Sequence, residues 1–262
     1  MKRNLLMLAV VAAASLVSFA AQAAGIDVVG FLNEHREALA GLALMGSVQL
    51  PNGATVAIAS GYGASKTMTN ISNASTALAA LASGHGIQNG DFMEITSGWS
   101  RLTNKIVKAG NPAGSPGTDI PLAGIDTSST TLYPAGNGGG TIREITGWTV
   151  LSQILESSSN GGEQQFLTYQ FLEDDAQKRI PTFKNASGLT LRIADDDSLA
   201  GYILAATAND DRQPRAVKIT LPDGGLILMN AYISLNKTPT LTINELMAVE
   251  VTLSLLADVV RY

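Results

Sequence analysis

The chain has 262 residues, 15% of them charged, with a net charge of −5, two histidines and no cysteine. A chain this long can bury a sizeable core, and its acidic balance argues against a general nucleic-acid-binding surface. The lack of cysteine excludes disulfides and thiolate metal sites, while His35 and His85 leave little material for histidine-based metal or acid–base chemistry.

Lys2 and Arg3 precede an apolar run from Leu5 to Ala21, and Ala21-Gln22-Ala23 has the small-x-small form of a cleavage site. Residues 1–23 therefore read as a secretory-type signal segment. The run is short and ends in small residues, so no permanent membrane span and no stable membrane partner are expected. Residues 24–44 read as a linker or short amphipathic helix, with Val28, Leu32, His35 and Leu39 at helical spacing. Met45, five residues before Leu50-Pro51-Asn52-Gly53, supplies a second reading, in which it is the start and the first 44 residues are an upstream extension.

The composition, with 45% apolar residues, 26 Gly and 9 Pro, favours a turn-rich β protein over a helical bundle. Thr55 to Ala59 is a short strand, broken at Gly61-Tyr62-Gly63; residues 45–66 are assigned to the first strand of a main domain. From Lys66 to about Ile145 the sequence turns to Gly, Ser, Thr, Asn and Ala. Strand candidates at Phe92–Thr96, Lys105–Lys108 and Thr141–Ile145 alternate with turn signals at Asn89-Gly90-Asp91, Asn111-Pro112 and Gly136–Gly140. Residues 67–146 are thus expected to be a small all-β domain inserted in the main one, projecting outward. His85 sits in its first turn, His85-Gly86-Ile87-Gln88-Asn89-Gly90-Asp91, and reads as a turn residue rather than a ligand, since no second His is near. The same stretch resembles the turn of small β modules inserted in phage structural proteins.

Gly147–Leu151 resumes strand character, and Ser157–Gly162 reads as a flexible turn. From Glu163 two alternating patterns follow. In the first, Gln164, Phe166, Thr168, Gln170 and Leu172 share one face, and Gln165, Leu167, Tyr169 and Phe171 the other; in the second, Leu189, Leu191 and Ile193 alternate with Thr190 and Arg192. Between them Glu173-Asp174-Asp175-Ala176-Gln177-Lys178-Arg179-Ile180-Pro181 is too long for a tight turn and too charged for a core, so a long loop carried on a hairpin is expected. Such a loop, Leu172 to Phe183, suits contact with a neighbouring molecule. Asp195-Asp196-Asp197-Ser198 precedes an apolar stripe of Leu199, Tyr202, Ile203 and Ala206. Asp197 or Ser198 is the expected N-cap of a helix lying on a sheet. A calcium loop is disfavoured because the alternating ligands, central Gly and closing Glu are missing. Ala216–Leu221 and Leu226–Ile233 flank the hairpin turn Pro222-Asp223-Gly224-Gly225. Glu245–Leu255 closes the pattern, with Met247, Val249, Val251, Leu253 and Leu255 on one face and Leu246, Ala248, Glu250, Thr252 and Ser254 on the other.

Enzymatic chemistry finds no support. There is no Gly-x-Ser-x-Gly elbow and no cysteine nucleophile. The Asp174–Asp175 pair lacks apolar surroundings that would raise a carboxyl pKa. No cofactor is expected.

Taken together, Thr55–Gly63 and Gly147–Tyr262 resemble the major tail tube proteins of long-tailed bacteriophages. The resemblance is carried by L-P-N-G-A-T-V-A-I-A-S-G-Y-G, G-E-Q-Q-F-L-T-Y-Q-F-L-E-D-D-A-Q-K-R-I-P-T-F-K, L-R-I-A-D-D and N-A-Y-I-S-L-N-K-T-P-T-L-T-I-N-E-L-M. It implies a mainly β protein: a β-sandwich with one packed α-helix over residues 147–262. It implies hexameric rings stacked into a tube, passage of phage DNA, contacts with the tape measure, tail tip and terminator proteins, and assembly in the host cytoplasm into the virion tail. The signal-like segment departs from the family and keeps open the alternative of a secreted β-rich fibre or adhesin subunit. On the tube reading, Glu173, Asp174, Asp175, Lys178, Arg179, Ile180, Pro181 and Phe183 are expected to join subunits or rings, the acids meeting Arg212, Arg215 or Lys237 of a neighbour. Gln164, Thr168, Gln170, Glu250 and Thr252 are expected to line the lumen, where rows of Lys or Arg would hold phosphates and halt passage.

Overall fold

The structure, a computed structural model, describes residues 51–113 and 117–262. The expected signal segment, the 24–44 helix or linker and the Met45 start lie outside the described residues.

The fold is mainly antiparallel β, with one helix among the described residues. In chain order the strands are β1 (Thr55–Tyr62), β2 (Lys66–Ile71), β3 (Leu78–Leu81), β4 (Phe92–Ser97), β5 (Lys105–Lys108), β6 (Asp119–Pro121), β7 (Gly140–Leu151), β8 (Ile154–Gly161), β9 (Gln164–Tyr169), β10 (Lys178–Lys184) and β11 (Ser187–Ala194). Helix α1 (Ala200–Asp211) follows, then β12 (Arg215–Thr220), β13 (Leu226–Thr240), β14 (Ala248–Leu255) and β15 (Val260–Arg261). One large sheet runs in the order β6-β3-β2-β7-β1-β12-β13-β14-β11-β8, while β9 and β10 pair only with each other in a separate ribbon.

Two cores lie along this sheet. One gathers Met68, Ile71, Met93, Ile95, Val107 and Ile142 with neighbours from β2 to β7. The other gathers Ile58, Leu191, Val217, Ile233, Val251 and Leu253 under α1. A smaller cluster of Ala59, Ile106, Ile145, Ala216 and Leu228 joins them. The stretches read as separate strands at Thr141–Ile145 and Gly147–Leu151 form one continuous β7, so the expected boundary at residue 146 falls within a strand. The break expected at Gly61-Tyr62-Gly63 begins with a register shift between β1 and β7 around Gly61, and β1 ends at Tyr62.

Several local expectations are corrected. Ser157–Gly162 is not a turn but most of β8, which pairs with β11 from Ser187↔Gly161 to Ile193↔Ile154. An edge strand takes its order from its partner's backbone and needs no apolar alternation of its own, which is why composition misled. The second alternating pattern, β11, pairs with β8 and β14 and not with β9. The helix is capped neither by Asp197 nor by Ser198: Leu199 occupies the N-cap with no side-chain hydrogen bond. The Asp196 carboxylate instead accepts from the Ser198 N–H and hydroxyl, which hold it below the usual carboxylate range. Of the expected stripe, Tyr202 and Ala206 pack partly buried against the core but Ile203 is half exposed; the fully buried positions are Gly201, Ala205 and Ala208. Small residues win because the helix sits so close to β7 that a Cβ on Gly201 would lie 2.5 Å from the Val150 carbonyl oxygen.

Polar and aromatic clamps tie the two cores together. Glu94 on β4 accepts from Arg143 Nε at 2.9 Å and from Asn230 Nδ2 at 2.8 Å. The Arg143 guanidinium lies 4.1 Å from the Tyr62 ring centroid, and the Tyr62 hydroxyl accepts from Ala216 N–H. Lys218 sits between Trp148 and Phe92, 4.6 and 4.9 Å from their centroids. Tyr262 donates its hydroxyl to Ala123 O and accepts from Lys108 N–H, both at 2.9 Å. Burial raises the phenol pKa of both Tyr62 and Tyr262.

These contacts generate two predictions. Gly201→Ala pushes α1 off β7 and lowers stability by about 1–3 kcal/mol, read as a shift in urea midpoint without a change in slope. Tyr262→Phe strands two backbone groups and costs about 1–3 kcal/mol. A phenol whose folded pKa is raised stabilises fully below its unfolded value near 10 and loses that contribution as pH rises through the folded value. Denaturation curves between pH 8 and 11 should therefore fall less steeply for Tyr262→Phe than for the wild-type chain; parallel curves would refute the clamp.

Candidate assembly surfaces

Three exposed surfaces arise where strand alternation meets the ends and edges of the sheet. The first is the outer face of β8-β11-β14-β13. Val249, Val251 and Leu253 of β14 turn into the core, so Glu250, Thr252 and Ser254 turn outward. Register then sets Glu250 beside Arg192 and Asn236, and Arg192 beside Glu156; Thr252 lies beside Thr190 and Ser234, and Thr190 beside Ser158. The face is a field of hydroxyls and amides with one cation. Arg192 is flanked by Glu250 and Glu156 in the ladder and lies 3.6 Å from Glu245, so its charge is compensated locally.

This four-stranded face has two open edges. β8 pairs with β11 alone. β13 pairs with β12 only as far as Ala231 and beyond it with β14, while Asn209 of α1 takes the Leu235 N–H. Under β8 the sandwich is not fully closed: two grooves, of about 400 and about 530 Å³, share Leu189 and Ile219.

The second surface is the β9–β10 arm, which leaves the sheet between Gly161 and Ser187, themselves a ladder pair. The loop expected from Leu172 to Phe183 is shorter than that: Lys178 to Lys184 is strand, and Pro181 stands opposite Phe166. Proline is tolerated because the ribbon has only one ladder, leaving the other side of β10 without partners. Leu167 stands opposite Ile180 on one face, and Phe166, Pro181 and Phe183 belong to the other, so both faces are apolar and exposed; Phe183 alone is 66% accessible. Asp174 organises the tip. Its carboxylate accepts from Phe171 N–H and pairs with Lys178 at 2.7 Å, and its carbonyl accepts from Gln170 Nε2. That leaves Leu172 fully exposed at the end of the arm.

The third surface is the loop 241–247, between β13 and β14. Thr242 C=O accepts from Glu245 N–H across a turn in which Asn244 has φ 65°. The turn leaves Leu241, Ile243, Leu246 and Met247 in solvent, Ile243 at 89%. Asp195 N–H donates to Met247 O and fixes the acidic run beside this loop.

The structure thus separates the residues singled out from sequence. Glu250 and Thr252 lie on the polar sheet face, whereas Gln164, Thr168 and Gln170 lie on the arm. Glu173, Asp175, Arg179, Ile180, Pro181 and Phe183 are exposed on the arm, but Asp174 and Lys178 are spent on each other. Of the basic groups expected to receive the acids, Arg215 pairs with Asp211 and Lys237 with Asp210 within the chain. Thr190, Ser234 and Ser158 were missed because only the ladder shows that they share a face with Thr252; the 241–247 loop was missed because its alternation reads as more of β14. His85 is a turn residue: its Nδ1 accepts from Ile87 N–H, so Nε2 donates to Gly117 O at 2.8 Å. Among the described residues no group of acidic or histidine side chains is arranged to hold a metal ion, and no helix is long and apolar enough to cross a membrane.

Comparison with known proteins bears on this arrangement. No curated protein matches the chain by sequence. Among solved structures, it is similar to a chain from the virion of a native gene transfer agent particle, at 10% identity and TM-score 0.36 over 44% of this chain and 88% of that one. It is also similar to a chain of an anti-feeding prophage baseplate (11%, TM-score 0.34, 45% and 85%). A third similarity is to a chain of a sheath–tube complex of an extracellular contractile injection system (18%, TM-score 0.31, 40% and 78%). The family model for the phage tail tube protein matches residues 97–262, which takes in β5 to β15, and does not favour a secreted adhesin. The chain belongs to the phage tail tube protein family.

Proposed function

We propose that this chain is the subunit of a tube built from hexameric rings, and that the polar face of β8-β11-β14-β13 lines a channel through which DNA passes. The observation that carries the reading is a polar four-stranded face with an open edge on each side. Its strands alternate in direction, so β13 of one copy and β8 of the next run antiparallel and can form one more ladder. Repeating that step around a ring leaves no strand edge exposed. A lumen of hydroxyls and amides, with its cation neutralised by neighbouring acids, presents no row of phosphate-binding charges to passing DNA. The arm leaves this wall and joins neighbouring copies, contributing Glu173, Asp175, Arg179, Ile180, Pro181 and Phe183. The core built from β2 to β6 faces outward. The tube acts within a virion tail, assembled in the host cytoplasm with tape measure, tip and terminator proteins as further partners, and has no enzymatic role.

Negative-stain microscopy of the purified chain is expected to give hollow tubes whose end-on averages have sixfold symmetry; solid fibres or monodisperse monomers would sink the proposal. Because the chain has no cysteine, the lumen assignment can be checked by labelling. In assembled tubes Thr252→Cys should react with a small maleimide but not with a bulky polyethylene-glycol maleimide. Ser83→Cys, on the β2–β6 side, should react with both. Equal reaction of Thr252→Cys with the two reagents would place that face outside.

A further inference from the structure

We infer that Asn52 is a self-modification site, at which the folded chain converts an asparagine to aspartate and isoaspartate with water as the only co-reactant. Four asparagine–glycine steps occur in the sequence, beginning at Asn52, Asn89, Asn137 and Asn160. At such a step the glycine nitrogen can attack the preceding side-chain amide, because glycine brings no Cβ to obstruct the approach. The bond from that nitrogen to Cγ forms, the bond from Cγ to the amide NH2 breaks, and the glycine N–H proton leaves with the NH2 as ammonia. Water then opens the cyclic imide at either of its carbonyls. The net change is one water consumed, one ammonia released and one carboxylate gained. The fold decides which of the four steps can follow this course.

Three of them are held back, each by a different contact. Gly90 donates its N–H to Ala109 O at 2.9 Å, and the same turn is closed by Gln88 N–H on the Asp91 carboxylate and Asp91 N–H on Gln88 O. Its nitrogen is therefore committed to an acceptor. Gly138 is buried, packed so closely that a Cβ there would lie 2.9 Å from the Trp99 ring and 3.1 Å from Ile71 N. Asn160 lies within β8, opposite Gly188 in the ladder with β11. Its side-chain oxygen is laid across Gly188, where a Cβ would meet it at 2.6 Å, rather than folded back on Gly161 N. These three steps react only when the surrounding structure opens.

Asn52 has none of these restraints. Asn52 and Gly53 are both exposed, and Gly53 has φ +92° with nothing within 4 Å of where a Cβ would stand. The turn is closed by Ala54 N–H on Pro51 O at 2.9 Å, a bond that leaves the Gly53 nitrogen uncommitted. Among the described residues neither the Asn52 amide nor the Gly53 N–H makes a hydrogen bond. Nucleophile, electrophile and water can therefore meet without any opening of the fold.

The product changes one defined place. Pro51, Asn52, Gly53 and Ala54 line the groove of about 530 Å³ together with Glu156, so the new carboxylate joins an existing one at that groove. Isoaspartate also lengthens the main chain by one methylene, just ahead of the first ladder pair of β1, Thr55↔Thr220.

The test follows the purified full chain in mildly alkaline heavy-oxygen water, with peptide mass spectrometry to place the label. In the folded chain Asn52 should take up label at least about tenfold faster than Asn89, Asn137 or Asn160, whose reaction waits on local opening. In urea the four rates should converge. On anion exchange the wild-type chain should accumulate an acidic species that elutes with Asn52→Asp and is lost in Asn52→Ser. Label at Asn52 no faster than at Asn89 in the folded chain, or the same acidic species arising in Asn52→Ser, would overturn the inference. So would an advantage of Asn52 that survives in urea, because the fold would then not be what selects it.

Discussion

The backbone ladder of β13 is the element on which the rest of the structure depends. Its first six residues pair with β12, and from Ala231 it pairs with β14. One uninterrupted strand therefore belongs both to the part of the sheet that carries the clamps and to the part that carries the polar face. Its side chains divide in the same way. Leu228 enters the cluster between the cores, Asn230 reaches Glu94, and Met229, Ile233 and Leu235 fill the space beneath α1. Any slip of register along β13 would invert these assignments together, since the side-chain period of a strand is two. It would also turn Ser234 and Asn236 from the polar face into the core.

The second constraint is the material the fold leaves uncovered. A two-stranded ribbon is at best marginally stable by itself in water, and the β9–β10 arm has no third strand. Its apolar groups offset that weakness only when something covers them. Fully burying a Phe or Ile contributes about 1.5–3 kcal/mol, whereas an exposed ion pair contributes about 0–1 kcal/mol. In any contact the arm makes, Phe166, Ile180 and Phe183 outweigh the charges at its tip, and the charges set orientation. The same reasoning applies to the free edge of β8, whose serines cannot close the grooves beneath it. The chain has two buried cores, and its arm, sheet edges and 241–247 loop are the apolar or unpaired material left outside them.

The side of the molecule built from β2 to β6 is bound firmly to the sheet that carries the polar face. The Glu94–Arg143–Asn230 network, the Lys218 cradle and Tyr262 each connect residues far apart in sequence across the join. Because β7 is continuous through the join, the two cores share backbone as well as side chains. A core held in this way is positioned by the neighbouring sheet rather than tethered to it.

Much of this was legible in the sequence. Val249, Val251 and Leu253 alternating with Glu250, Thr252 and Ser254 could only be a strand with one buried face, and Pro222–Gly225 between apolar runs could only be a tight connection; both are present as read. The mainly β character, the helix after Asp197 and the tail tube family were also readable, because they rest on local period, turn chemistry and long quoted motifs. Tertiary structure alone decided the rest. Ser157–Gly161 is a strand because β11 offers it a ladder, not because of its own side chains. The helix turns Gly201, Ala205 and Ala208 inward because β7 stands too close for Leu or Ile. Gln164, Thr168 and Gln170 share the composition of the polar face but belong to the arm, since sequence period shows which residues share a strand face and not which strands share a sheet.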